Sequence, residues 1–122
     1  VIDANEFITA YLEKEWLNQS EKQFQEWLVR EAKSRDWELI YHTWNSKNSA
    51  KGFPDLVMLK GNRQIYAELK SHKNRKGLSD DQKIWINHLR AITCQCGCGN
   101  KSNEVYVWYP KHKDQILEVL NG

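Results

Sequence analysis

The chain has 122 residues, enough for one domain built on one core. Hydrophobic residues make up 40% and charged residues 28%, ordinary proportions for a soluble globular protein, and no apolar run approaches the length of a membrane-spanning helix. A formal net charge of +2 sets up no strong global field toward nucleic acid, so any such contact must come from a local cluster.

Residues 5–17 read as a helix, because Phe7, Ile8, Tyr11, Leu12 and Trp16 recur at spacings of three and four and form an apolar stripe. These opening residues carry several acids and no continuous apolar segment of signal-peptide type, so a cytoplasmic location is expected. Asn18-Gln19 interrupts the pattern. Ser20 then caps a second helix, with Gln23 placed to complete a capping box and Phe24, Trp27, Leu28 and Ala32 on its buried side. Glu21 sits in the first turn, where the helix dipole favours an acid, and it leans toward the buried side.

Residues 37–43 read as a strand, and the polar stretch 44–51 as a loop. The loop delivers the chain into Gly52-Phe53-Pro54-Asp55, where Pro54, lacking an amide donor, suits a strand entrance. Strands are expected at 56–59 and 64–70, joined by Gly61-Asn62 as a short hairpin turn. A basic loop follows, then a helix capped by Ser79, with Gln82 at the third helical position as a second capping box. Ile84, Trp85, Leu89 and Ile92 supply its apolar pattern, and Gln82, Trp85 and Leu89 share one face. Residues 93–103 form a loop that holds all three cysteines. A strand over 104–109 is stopped by Pro110, and residues 113–120 end the chain as a helix with Ile116, Leu117 and Leu120 inward. The order is ααβββαβα. A strand, a crossover helix and a second strand form a parallel unit, so the expected fold is α/β, with a mixed, mainly four-stranded sheet flanked by helices.

The hairpin register brings the chemistry into view. If Gly61 and Asn62 are the loop, Lys60 faces Arg63, and counting outward puts Asp55 opposite Glu68. Directly opposed side chains share a face, and the period-2 alternation adds Lys70 to it while Ile65, Ala67 and Leu69 point away. Like charges directly opposed destabilise a sheet, and a divalent cation with a taste for oxygen ligands relieves that repulsion. Two carboxylates and a lysine in this arrangement fit metal-assisted phosphodiester hydrolysis. Asp55 and Glu68 would hold the ion, the backbone carbonyl of Leu69 would add a ligand, and Lys70 would orient the attacking water or stabilise developing charge. His72, Lys73, Arg75 and Lys76 form a basic run directly after this strand and are the candidate DNA phosphate contacts. His42, near the end of a strand leading to the site, and His72 are secondary candidates for chemistry, though histidines so placed more often meet phosphate or solvent than act as bases.

Taken together, Ser20-Glu21-Lys22-Gln23-Phe24-Gln25, Gly52-Phe53-Pro54-Asp55-Leu56, Ala67-Glu68-Leu69-Lys70, Ser79 with Gln82 and Trp85, and Val105-Tyr106-Val107-Trp108-Tyr109-Pro110 resemble the VRR-Nuc branch of the PD-(D/E)XK nuclease superfamily, in the family's order. The resemblance runs from about residue 20 to 110, leaving residues 1–18 as a helical extension and 19–122 as the nuclease-like domain. It implies a restriction-endonuclease-like core and a Mg²⁺- or Mn²⁺-dependent nuclease acting on DNA. Stand-alone members of this size are similar to phage-type proteins, often dimeric, that cut branched DNA such as four-way junctions. A homodimer in the cytoplasm of a bacterium or phage-infected cell is therefore expected. Within it Asp55 and Glu68 match the metal ligands, Lys70 the catalytic lysine, Glu21 the helix glutamate that completes the acidic cluster, in part through water, and Gln82 the glutamine that begins the helix after the site.

The chain departs from its relatives at residues 93–103, where they have a short turn. Cys94, Cys96 and Cys98 offer three thiolates for zinc, with His88 or a partner subunit as fourth ligand. Their spacing is not the usual pair of Cys-x-x-Cys hooks, and thiols in a mobile loop are the expected reading. Two rivals to a nuclease are a non-catalytic nucleic-acid-binding module of the same fold and an assembly subunit pairing through the first helix and the tryptophans. A pure binder gains nothing from two carboxylates facing a phosphate.

Overall fold

The computed structural model describes residues 3–43, 50–92, 97–98 and 102–122. Helix α1 (Ala4–Leu17) is capped by Asp3, whose side chain accepts the Glu6 amide at 2.8 Å. Helix α2 (Glu21–Ser34) opens with a complete capping box: Ser20 Oγ accepts the Gln23 amide, and Gln23 Oε1 accepts the Ser20 amide. The strands are β1 (Leu39–His42), β2 (Leu56–Lys60), β3 (Arg63–Leu69) and β4 (Glu104–Trp108), with helix α3 (Asp80–Ala91) between the last two. A 3₁₀ turn (Pro110–His112) leads into helix α4 (Lys113–Asn121). The sequence of elements is the expected ααβββαβα, and no helix among the described residues is long and apolar enough to cross a membrane.

The sheet has the spatial order β1-β2-β3-β4, antiparallel between β1 and β2 and between β2 and β3, parallel between β3 and β4. The hairpin register matches the count from its loop: Lys60 pairs with Arg63, Met58 with Ile65 and Leu56 with Ala67. Gly61 has φ +57° and Asn62 a negative φ, the sign pattern of a type II′ turn, whose twist suits a two-residue hairpin.

Alternation divides the sheet into two faces. Leu56, Met58, Ile65, Ala67, Leu69 and Trp108 are buried against Phe24, Leu28 and Ala32 of α2 and Ile116 and Leu120 of α4. Burying each large apolar side chain stabilises the fold by roughly 1.5–3 kcal/mol. On the opposite face Phe53 packs edge-on between Tyr66 of β3 and Trp85 of α3. Ile86 and Leu89 are the buried residues of α3, whereas Ile84 and Ile92 are exposed. The spacing pattern had assigned those two to the apolar face. Trp85 meets Phe53 on the covered side of α3, which leaves Ile84 toward solvent, while Ile92 is the C-cap, where the backbone has already left the helix for an extended conformation.

The first helix also departs from expectation. Its apolar stripe is not buried: Phe7, Ile8, Tyr11 and Leu12 are all more than half exposed. Only Trp16 docks, edge-on to Phe24 and Trp27, with its indole N–H donating to the Pro110 carbonyl at 2.7 Å.

Candidate active site

Asp55 lies one residue before β2, and the strand pairing runs past it, since the Thr43 amide donates to the Asp55 carbonyl at 2.9 Å. The Asp55 carboxylate crosses to β3, where Oδ2 accepts the Leu69 amide at 2.8 Å. Glu68 is the next-to-last residue of β3, and Lys70 follows its end. Both alternate with the core residues Ala67 and Leu69, so they project to the face that α3 covers. Both are nonetheless buried, Glu68 at 2% and Lys70 at 5% exposure, because the loop before Asp55 and the start of α3 close over them.

Gln82 joins these two groups. Its Nε2 donates to Glu68 Oε1 at 2.8 Å, and its Oε1 accepts from Lys70 Nζ at 3.0 Å. That same Oε1 accepts the Ser79 amide at 2.9 Å and so completes the capping box of α3. Capping and site contact are two uses of one side chain. Lys70 Nζ also lies 3.7 Å from Glu68 Oε1. Glu68 Oε2 is buried with no hydrogen-bond partner among the described residues. A buried carboxylate oxygen left in this condition is destabilising unless a cation or donor meets it.

Electrostatics agree with the geometry. Burial, then the nearby Asp55 charge, pushes the Glu68 carboxyl up to about 8, against the opposing pull of Lys70. Burial also raises Asp55, and the Leu69 amide, the adjacent Glu68 carboxyl and the Lys70 charge restrain the rise. Glu21 is exposed as a residue, yet its carboxyl is raised by partial burial and by Asp55 and lowered by Lys70. The acid at the start of α2 therefore belongs to the same electrostatic cluster, a relationship that helix periodicity alone left between a cap and a site. Like-charged groups drawn together and partly dehydrated resist ionising, and a cation reverses that preference.

Among the described residues no set of three or more His, Cys, Asp or Glu side chains is arranged to hold a metal by side chains alone. The chemistry of the donors still fits a hard cation that retains water: two adjacent carboxyls, one oxygen of which lacks a partner. The Leu69 carbonyl leaves β3 on the same side as its amide, toward Asp55, as strand geometry requires.

The other sequence candidates fall outside this cluster. His42 contacts Gln25 of α2, with Nδ1 and Nε2 at 2.5 Å. Lys73, Arg75 and Lys76 are exposed on the loop after Lys70. His72 turns toward the end of β4, where it stacks on Tyr109. His88 Nδ1 meets the Ile84 carbonyl oxygen at 2.9 Å. Cys98 is exposed, while Cys94 and Cys96 lie outside the described residues.

Sequence reasoning put Gly52 in the turn before Asp55 but missed its contact with α3. With φ +85°, it lies so close to the start of α3 that a Cβ there would come within 2.4 Å of the Asp81 carbonyl carbon and 2.6 Å of the Gln82 nitrogen. The loop that carries Asp55 is thus pressed onto the turn that carries Gln82. Glycine before Phe-Pro-Asp was the available signal, and its partner across the fold was not legible.

A mixed four-stranded sheet with an acid at the entrance of one strand and Glu-x-Lys at the end of its neighbour has the architecture of a PD-(D/E)XK-type nuclease domain. The profile of the VRR-NUC domain matches residues 5–98, well over half of the chain, and the chain belongs to this family. The matched stretch begins inside α1, which the motifs alone left outside the resemblance, and ends before β4. No curated protein and no solved structure matches the chain.

Proposed function

We propose that this protein is a Mg²⁺- or Mn²⁺-dependent DNA endonuclease that hydrolyses phosphodiester bonds, with a preference for branched substrates such as flaps or four-way junctions. The observation that carries the reading is the partnerless, buried Glu68 Oε2 beside the raised carboxyl of Asp55, with Lys70 Nζ 3.7 Å from the other Glu68 oxygen, Oε1. Asp55, Glu68 and the Leu69 carbonyl would hold the metal, and Glu21 would support it through water. A divalent ion held there supplies charge neutralisation for the phosphate and a more acidic water.

The protein's own part is positioning. Gln82 binds Glu68 and Lys70 with opposite ends of one amide, so the lysine's ammonium is held toward the carboxylates and not free to sweep through solvent. From there Lys70 orients the attacking water or donates to a phosphate oxygen as negative charge builds. His72, Lys73, Arg75 and Lys76 are assigned to the DNA backbone. A homodimer would bring two such sites to two strands of one junction.

The test uses labelled linear, flapped and four-way DNA, each with and without Mn²⁺. Metal-dependent cleavage is expected, strongest on the branched forms. Asp55→Ala, Glu68→Ala and Lys70→Ala each lower the rate by about 10³-fold or more while leaving the circular dichroism spectrum unchanged. Undiminished cleavage by the Lys70→Ala protein overturns the mechanism. Equal DNA binding in chelator and in metal, without cleavage, identifies a binding module instead. Sedimentation of the native protein reads the dimer.

A further inference from the structure

Beyond the carboxylate cluster, the chain builds a second polar feature where β4 leaves the sheet. The Lys70 amide donates to the Trp108 carbonyl at 2.9 Å, so β3 and β4 stay together one step beyond Leu69. The strap that follows β4 therefore starts beside the site's lysine. Tyr109 is extended, Pro110 turns the chain, and Lys113 opens α4.

Two histidines pin this strap. His72 Nε2 accepts the Lys111 amide at 3.2 Å, and its ring stacks on Tyr109 with centroids 5.5 Å apart at 27°. His112 Nδ1 accepts the Tyr109 amide at 3.0 Å. An imidazole nitrogen that accepts an N–H carries no proton, so the neutral ring is protonated on its other nitrogen. His72 Nδ1–H and His112 Nε2–H are then donors. Burial and the Lys111 charge lower the pKa of both rings, which favours this neutral form.

The lysines add charge to these donors. Lys111 Nζ lies 5.4 Å over the Tyr109 ring and Lys113 Nζ 4.7 Å over the Trp16 ring. Both lysines are exposed, and among the described residues neither has a carboxylate within ion-pair distance. Glu13 and Asp114 line the same groove without pairing with them. An aromatic face holds an ammonium in position without neutralising it. The outcome is a ledge of N–H donors and lysine charge not closely ion-paired among the described residues, beginning where the Lys70 amide meets the end of β4.

We infer that this ledge, formed by His72, Tyr109, Lys111, His112 and Lys113, binds the phosphate backbone of the DNA strand flanking the scissile bond. The inference rests on the nuclease reading for its substrate, and it extends the basic loop's His72 onto Tyr109, Lys111, His112 and Lys113, which lie beyond that loop and outside the part of the chain matched by the VRR-NUC profile. Polyanion chemistry is the match, because phosphate oxygens only accept and the ledge mainly donates.

The test measures binding of the full chain to fluorescein-labelled duplex DNA by anisotropy, in chelator so that no cleavage occurs, over a series of salt concentrations. The Lys111→Gln/Lys113→Gln variant keeps the aliphatic stems and removes two charges. Lys33→Gln, at the end of α2 remote from Glu21, is the control. The double variant is expected to bind about 10-fold more weakly at low salt. Its slope of log K against log salt is expected to fall by about 1.8, near 0.9 for each lost phosphate contact. Lys33→Gln should move neither. A double variant with native affinity and slope overturns the ledge, and if the native protein still cleaves DNA with Mn²⁺ the nuclease reading survives that loss. A native protein that neither binds nor cleaves overturns both. Weakened binding by the double variant, with no cleavage by the native protein, supports the ledge and counts against the nuclease.

Discussion

Gln82 Nε2 meets Glu68 Oε1 at 2.8 Å while Gln82 Oε1 caps its own helix. The start of α3 and the buried Glu68 carboxyl are thereby mechanically joined. The two uses separate by mutation. Ser79→Ala removes the hydroxyl that accepts the Gln82 amide at 3.2 Å and should lower stability by about 1 kcal/mol, with cleavage kept within about threefold. Gln82→Ala removes the cap and frees both Lys70 and Glu68. It should lower stability by about 1–2 kcal/mol and cleavage by at least about 10-fold. Thermal melts and cleavage rates of the two variants side by side provide the check. Equal loss of activity in both would mean that Gln82 matters only as a cap.

Gly52 and Gly61 both have positive φ, but only Gly52 is crowded. Gly61→Ala meets no atom within 4 Å and should lose about 1 kcal/mol from backbone strain alone, with activity retained. Gly52→Ala must displace either the Asp55 loop or the start of α3. A loss of about 2–4 kcal/mol is expected, together with a fall in cleavage beyond what the unfolded fraction explains, measured well below the melting temperature. A Gly52→Ala protein as stable and active as Gly61→Ala would refute the close contact.

The Glu68 carboxyl, at about 8 in the folded protein against an ordinary 4.5, makes stability depend on pH. The folded value is raised, so its contribution is complete below about 4.5 and is lost as pH rises through about 8. The metal-free protein should therefore lose stability over that interval. A divalent cation binds the ionised form, so the rise in melting temperature on adding millimolar Mn²⁺ should grow between about pH 6 and pH 9. Glu68→Gln should flatten the metal-free pH dependence and abolish most of the Mn²⁺ effect. A Mn²⁺ shift independent of pH would contradict a carboxyl held protonated at neutrality.

His72 and His112 have the opposite sign. Both pKa values lie below the ordinary 6.5, lowered first by burial and then by Lys111, with His72 adding to the effect on His112. Their contribution is present above about 6.5 and is lost as pH falls through the lowered folded values. His72→Gln keeps an acceptor near Nε2, and His112→Asn keeps one near Nδ1. The double variant should melt near the native temperature at about pH 8 and lose less than the native protein on acidification to about pH 5. Parallel melting curves for the two proteins across this range would show that the imidazoles do not titrate against the strap.

Much of the site was legible because its register is local. A two-residue loop at Gly61-Asn62 dictates which residues face each other, and period-2 alternation carries that pairing along both strands. Asp55, Glu68 and Lys70 could therefore be assigned to one face by counting. The capping boxes at Ser20 and Ser79 were legible for the same reason, since each closes within three residues. Periodicity was a poorer guide on the helices. The stripe of α1 has a regular apolar pattern and is exposed, and Ile84 of α3 and Ile92 at its C-cap fit a pattern yet are exposed. A helical repeat reports which residues share a side of a helix and not whether another element covers that side.

By itself the sequence determined the order of elements, the hairpin register and the acid-acid-lysine face, all consequences of short-range geometry. Only the tertiary structure decided that Gln82 spans Glu68 and Lys70, that Glu21 enters their electrostatic field, that Gly52 presses the Asp55 loop onto α3, and that His72 reaches across to the strap after β4. Those pairs are separated along the chain by 12 to 49 residues. No turn or repeat specifies such a distance, and it arises only when α2, α3 and β4 pack on the same sheet.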